Sequence, residues 1–160
     1  MREGSFLDAV LPFRALATLT TPKKQSSQYL EDCYDRYIQA LQKHHGKTLG
    51  SVRSIERHPQ PHIHAGLVCA IPLDCEIAEG IWRTIVVSRN SDSAQVLPYE
   101  DGLCGIGYVL KRLDRAFEDI RFSANIADFA LTGGESHFPT SPAERRQQRR
   151  IRAQLERAST

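Results

Sequence analysis

The segment "SVRSIERHPQPHIHAGLVCAI", residues 51–71, constrains the fold more than any other part of the chain. Two strand-like stretches flank the proline-rich turn signal "HPQP", so it reads as a β-hairpin with strands over 51–57 and 62–71. Successive side chains of a strand point to opposite faces. Ile63, Ala65 and Leu67 therefore share one face, which demands a core. His62, His64 and Gly66 share the other, where two imidazoles one strand repeat apart can both reach a single ion.

A divalent ion that does chemistry usually takes a carboxylate as well, and Glu56 lies on the preceding strand. Hairpin parity decides whether it can serve. A four-residue loop puts Glu56 opposite Ile63, on the wrong face. A three-residue "PQP" loop at 59–61 puts it opposite His64, on the right one, and hairpin loops of this length are common. Glu56, His62 and His64 thus form a candidate ligand set that predicts the short loop, with His58 beside His62 as a second-sphere group or extra ligand. Gly66 is expected to leave room for a large substrate. A zinc site built from His58, His62 and His64 remains open from these residues alone.

The flanking sequence supplies the layers. "FRALATLTT" (13–21) reads as a strand that stops at Pro22. In "SSQYLEDCYDRYIQALQKHH" (26–45), Leu30, Tyr34, Tyr37, Ile38 and Leu41 recur at three- and four-residue spacing, the stripe of an amphipathic helix ended by Gly46. A second helix is expected over 73–87, with Asp74 as its cap and Ile77, Ile81, Trp82 and Ile85 inward. A short strand follows over 94–100, then a helix over 102–117 with two internal glycines. The expected fold is α+β, a mostly antiparallel central sheet with packed helices. Residues 1–131 read as one domain, 132–142 as a linker and 143–160 as a basic helical tail.

Charge and cysteines narrow the possibilities further. The tail 142–160 carries six arginines against two glutamates, while the rest of the chain has fifteen basic and seventeen acidic residues. Arg145, Arg146, Arg149 and Arg150 are therefore candidates for phosphate attraction. Cys33, Cys69, Cys75 and Cys104 form no C-x-x-C pair and are expected to be reduced thiols. No apolar run is long enough to span a membrane, and "MREGSFLDAVLPF" lacks the pattern of a secretory signal, so the expected location is the cytoplasm.

A second constellation is "GYVLK", residues 107–111. On a helix Tyr108 and Lys111 share a face. A tyrosine hydroxyl is a candidate nucleophile once it is helped to ionise, and an ammonium nearby stabilises the phenolate or the charge developing on a phosphate.

Three pieces occur in order: "ALATLTT" (15–21), "PHIHAGLV" (61–68) and "GYVLK" (107–111). This set resembles the motifs of rolling-circle replication initiators, the HUH endonuclease family, over about residues 13–125. The resemblance implies an HUH-type nuclease fold, with Glu56, His62 and His64 holding Mg²⁺ or Mn²⁺. It makes Tyr108 the nicking nucleophile and Lys111 its helper. The implied activity is nicking and joining of single-stranded or hairpin DNA at the replication origin of a plasmid or phage, through a covalent 5′-phosphotyrosine. The sequence contains no G-x-x-x-x-G-K-[ST] loop, so unwinding is expected from a separate helicase. Two other readings stand beside it: a relative that binds a DNA hairpin without cutting, and a histidine–zinc hydrolase of a small substrate.

Overall fold

Local chemistry brackets the longest helix. Ser26 accepts a hydrogen bond from the Tyr29 amide at one end, and Gly46 takes the left-handed conformation (φ 62°) at the other. Between them Leu30, Cys33, Tyr34, Tyr37 and Leu41 are buried, so the expected stripe is the packed one. The computed structural model describes residues 7, 10–23, 25–57, 60–89, 91–100, 105–109 and 120–132.

In chain order the elements are β1 (Phe13–Thr20), α1 (Ser27–His45), β2 (Gly50–Glu56), β3 (His62–Val68), α2 (Cys75–Ile85), β4 (Ala94–Pro98), α3 (Gly105–Val109), β5 (Ile120–Phe122) and α4 (Ile126–Thr132). The strands form one antiparallel sheet in the order β4-β1-β3-β2-β5. The class is therefore α+β with a mostly antiparallel sheet, as expected. β3 is its centre, and six of its seven residues are buried.

The period of two divides β3 between two cores. Ile63, Ala65 and Leu67 pack with Leu30, Tyr34, Tyr37, Leu41, Ala78 and Trp82 beneath α1 and α2. Val68 joins Phe13, Val52, Ile106, Val109 and Phe129 on the other face, which α3 and α4 cover. Trp82 is fully buried, meets Tyr37 edge to face at 5.6 Å, and donates from its indole nitrogen to the Thr20 carbonyl (2.8 Å). That bond ties α2 to the end of β1. Burial pushes the Tyr34 hydroxyl up to about 12 and raises that of Tyr37 too. Both tyrosines lie in the core on the face away from the histidines.

Several boundaries differ from the expectation. β3 ends at Val68 and β4 at Pro98. In α2 the buried positions are Ala78 and Trp82, one turn apart, while Ile77 is 36% exposed. β5 and α4 were not anticipated: "IRF" is too short to show a period, and seven residues of α4 complete barely two turns. Of the helix expected over 102–117, residues 105–109 are helical. The remainder of that segment lies outside the described residues, as do Cys104, residues 133–142 of the linker and the whole tail. Cys33, Cys69 and Cys75 are free thiols.

α2 closes with an unusual residue. The Ser88 amide donates to Arg83 O (2.8 Å) and the Val87 amide to Thr84 O (3.3 Å), the paired bonds of a Schellman ending. The left-handed position this ending requires is occupied by Val87, at φ 53°, with its side chain 87% exposed. A β-branched side chain is costly there and glycine is not. Val87→Gly is expected to raise stability by about 1 kcal/mol, measured by chemical denaturation, after glycine's larger unfolded-state entropy is offset.

Candidate metal centre

Glu56, His62 and His64 meet on the face of the sheet opposite α1 and α2. His62 Nε2 stands 3.1 Å from Glu56 Oε2 and 3.1 Å from His64 Nε2, and His64 Nε2 stands 3.3 Å from Glu56 Oε2. Among the described residues this trio can hold a metal ion. The Glu56 and His64 side chains are 14% and 8% exposed and that of His62 is 22% exposed, so the cluster opens to solvent on the His62 side.

Parity put Glu56 on the correct face, but the register differs from the "PQP" loop. Glu56 pairs with His62, not His64, so residues 57–61 make a five-residue connection. The shift is two residues, which preserves the face. Two methylenes carry the Glu56 carboxylate diagonally far enough to approach both rings. His58 lies outside the described residues.

The ring protons follow from the neighbours. His62 Nδ1 is 2.8 Å from the Gln60 carbonyl oxygen, which only accepts. The proton of the neutral ring is therefore on Nδ1, and Nε2 presents a lone pair to the cluster. His64 Nδ1 is 3.1 Å from Thr18 Oγ1, and with its proton there the second Nε2 also turns a lone pair inward. Two nitrogen lone pairs and a carboxylate oxygen then converge, an arrangement that a cation relieves.

The spacing suits more than one coordination geometry. Donors about 2.1 Å from an ion stand about 3.0 Å apart at right angles and about 3.4 Å apart at tetrahedral angles. The two distances of 3.1 Å lie nearer the first value and the 3.3 Å distance nearer the second. A trio on one face of a six-coordinate ion leaves three adjacent positions for water and substrate.

The helix that carries Tyr108 docks on this same face. The Ile106 side chain is fully buried and that of Val109 nearly so, and the Ser54 hydroxyl donates to the Val109 carbonyl (2.9 Å). Ser54 is the register partner of His64. Tyr99 stacks on Phe13 at 5.2 Å, and its hydroxyl oxygen accepts from the Ile106 amide (3.4 Å). The space expected beside Gly66 for a substrate is filled instead. A Cβ there would stand 2.7 Å from Phe13 Cε1 and 2.8 Å from Ile106 Cδ1. Glycine at 66 serves the close approach of α3 to the sheet.

Tyr108 thus lies between two buried anchors, described through its backbone alone. Lys111 and Arg145, Arg146, Arg149 and Arg150 lie outside the described residues. Reasoning from the sequence did not single out Thr18, Ser54 or Gln60 individually. Thr18 was within reach, because it alternates onto one face of a strand; the Gln60 contact depends on a loop carbonyl that no period predicts. No family model, curated protein or solved structure matches the chain.

Two outcomes test the centre. Mn²⁺ titration followed by electron paramagnetic resonance is expected to reveal one site, weakened at least about tenfold by Glu56→Gln, with Co²⁺ giving the weak visible bands of a six-coordinate ion. Gly66→Ala is expected to cost about 1–3 kcal/mol by overpacking Phe13 and Ile106, measured as a lowered denaturation midpoint.

Proposed function

We propose that the protein nicks and rejoins single-stranded DNA in a metal-dependent reaction, with Tyr108 as nucleophile, as an initiator of rolling-circle replication does. The observation that carries this reading is the docking of α3 on the sheet face of the Glu56–His62–His64 cluster, through Ile106 against Gly66 and through the Ser54–Val109 bond. The donor trio by itself also suits non-haem iron. A tyrosine-bearing helix anchored beside it favours phosphoryl transfer, and the order of the three sequence motifs points the same way.

Glu56, His62 and His64 would hold Mg²⁺ or Mn²⁺; a carboxylate suits both, and two imidazoles favour manganese. The bound ion supplies Lewis-acid polarisation of a phosphate oxygen. Gln60 and Thr18 orient the two rings. Tyr108 attacks the phosphorus with its phenolic oxygen. The bond to the 3′ oxygen breaks, that oxygen takes up a proton, and the 5′ side stays on the tyrosine. Lys111 would stabilise the phenolate. One phosphodiester replaces another, so the reverse attack by a 3′-hydroxyl reseals the strand without ATP. Arg145, Arg146, Arg149 and Arg150 would add sequence-independent attraction to the backbone, and so a salt dependence. Duplex opening would fall to a separate helicase.

Incubation with Mn²⁺ and a pool of labelled random single-stranded oligonucleotides is expected to give a covalent protein–DNA species that resists denaturation. Tyr108→Phe is expected to abolish it while Mn²⁺ binding persists. An adduct from Tyr108→Phe at the wild-type level would remove the tyrosine from its assigned role.

A further inference from the structure

The two histidines of the cluster are held differently, and the difference falls on a residue of β1. His62 gives its Nδ1 proton to a backbone carbonyl, which fixes one tautomer. His64 meets a hydroxyl, Thr18 Oγ1, at 3.1 Å. A hydroxyl accepts as readily as it donates, so this contact suits either tautomer of the His64 ring. Metal on Nε2 requires one of the two: Nδ1 must carry the proton and the Thr18 oxygen must accept it.

The sheet register produces this pairing. Thr18 and His64 face each other across β1 and β3, and Thr20 faces His62 one repeat further on. β1 is held in that place from both sides. Its end accepts from Trp82 through the Thr20 carbonyl, and the next carbonyl, of Thr21, accepts from Gln60 Nε2 (2.6 Å). His64 is only 6% exposed, so water is a poor substitute for the hydroxyl.

We infer that Thr18 is a positioning residue for the metal ligand His64: its hydroxyl oxygen accepts the Nδ1 proton and so turns the Nε2 lone pair toward Glu56 and His62. The inference rests on the metal-site part of the functional reading above and on none of the DNA chemistry. The threonine-rich end of β1, which the proposed nicking step leaves without a task, thereby acquires one at Thr18. Thr20 does not share it, because the ring across from Thr20 already uses the Gln60 carbonyl.

The test compares Mn²⁺ affinity, by titration, in the full chain and three variants. Thr18→Val removes the oxygen at nearly constant shape and is expected to weaken binding about 10–100-fold, the usual effect of losing such a partner. Thr18→Ser keeps the oxygen and is expected to restore binding to near the wild-type value. Thr20→Val, on the same strand and face, is expected to change nothing. The metal-free circular dichroism spectrum of Thr18→Val is expected to match that of wild type, because valine suits a strand, with the melting temperature lowered only by the loss of one buried hydrogen bond. Wild-type affinity in Thr18→Val, or equal losses in Thr18→Val and Thr20→Val, overturns the inference and leaves the metal site standing. Absence of Mn²⁺ binding by the wild type overturns both.

Discussion

Two imidazole nitrogens and a carboxylate oxygen, all within 3.3 Å of one another, make a cluster whose lone pairs repel one another once both ring protons sit on Nδ1, unless a cation lies among them. Sheet architecture keeps the donors from moving apart. His62 and His64 are fixed on the central strand, with a hydrogen-bonded neighbour on each side. Glu56 comes from β2 on one side, while Thr18 comes from β1 on the other. Gln60, from the connecting loop, accepts from His62 and donates to Thr21. The ordering cost is met by the folding of the sheet, so the three donors are already in place for a cation.

The same alternation decides where helices can lie. The face carrying Ile63, Ala65 and Leu67 is apolar along the whole of β3 and takes two helices of 19 and 11 residues. The other face begins polar at His62 and becomes apolar only beyond Gly66, so α3 and α4 cover its apolar part. Among the described residues α3 is held by Ile106, by Val109, and by hydrogen bonds from Ser54 and to Tyr99. The absence of a side chain at 66 is what allows Ile106 to reach the sheet.

Most of this frame was legible in the chain because its signals are periodic. The stripe of α1, its Gly46 end, the Asp74 cap and the shared face of His62 and His64 all follow from the sequence, and the structure agrees. Glu56 lies on the face that the three-residue loop would have given it, although the loop has five residues, since a shift of two residues leaves faces unchanged. Gly66 was read as space for a ligand; a glycine marks a close approach but does not say of what. β5 exists because β2 offers it an edge at Val52–Ser54, a tertiary cause that three residues of sequence cannot announce. In α2, alanine at 78 rather than isoleucine at 77 faces inward, because the fully buried Trp82 one turn later sets which side of the helix meets the core.

The metal ligands and the tyrosine therefore stand on elements of unequal strength. The ligands sit on two strands joined along a continuous ladder, and their spacing survives any local opening that leaves the sheet intact. Among the described residues α3 is joined to that sheet by the buried Ile106 and Val109 side chains and by the Ser54–Val109 hydrogen bond, not by a strand ladder. In the nicking reaction proposed above, a phenol must first reach a phosphorus and later carry the DNA end that it has captured, and this division suits it. On the proposed reaction the ligands would stay on the ladder while the separate helix carries the nucleophile. Interactions holding α3 should then govern the covalent step, and those around the imidazoles should govern metal affinity, with Ser54, partnered to His64 in the ladder and bonded to Val109 in the helix, as the residue where the two meet.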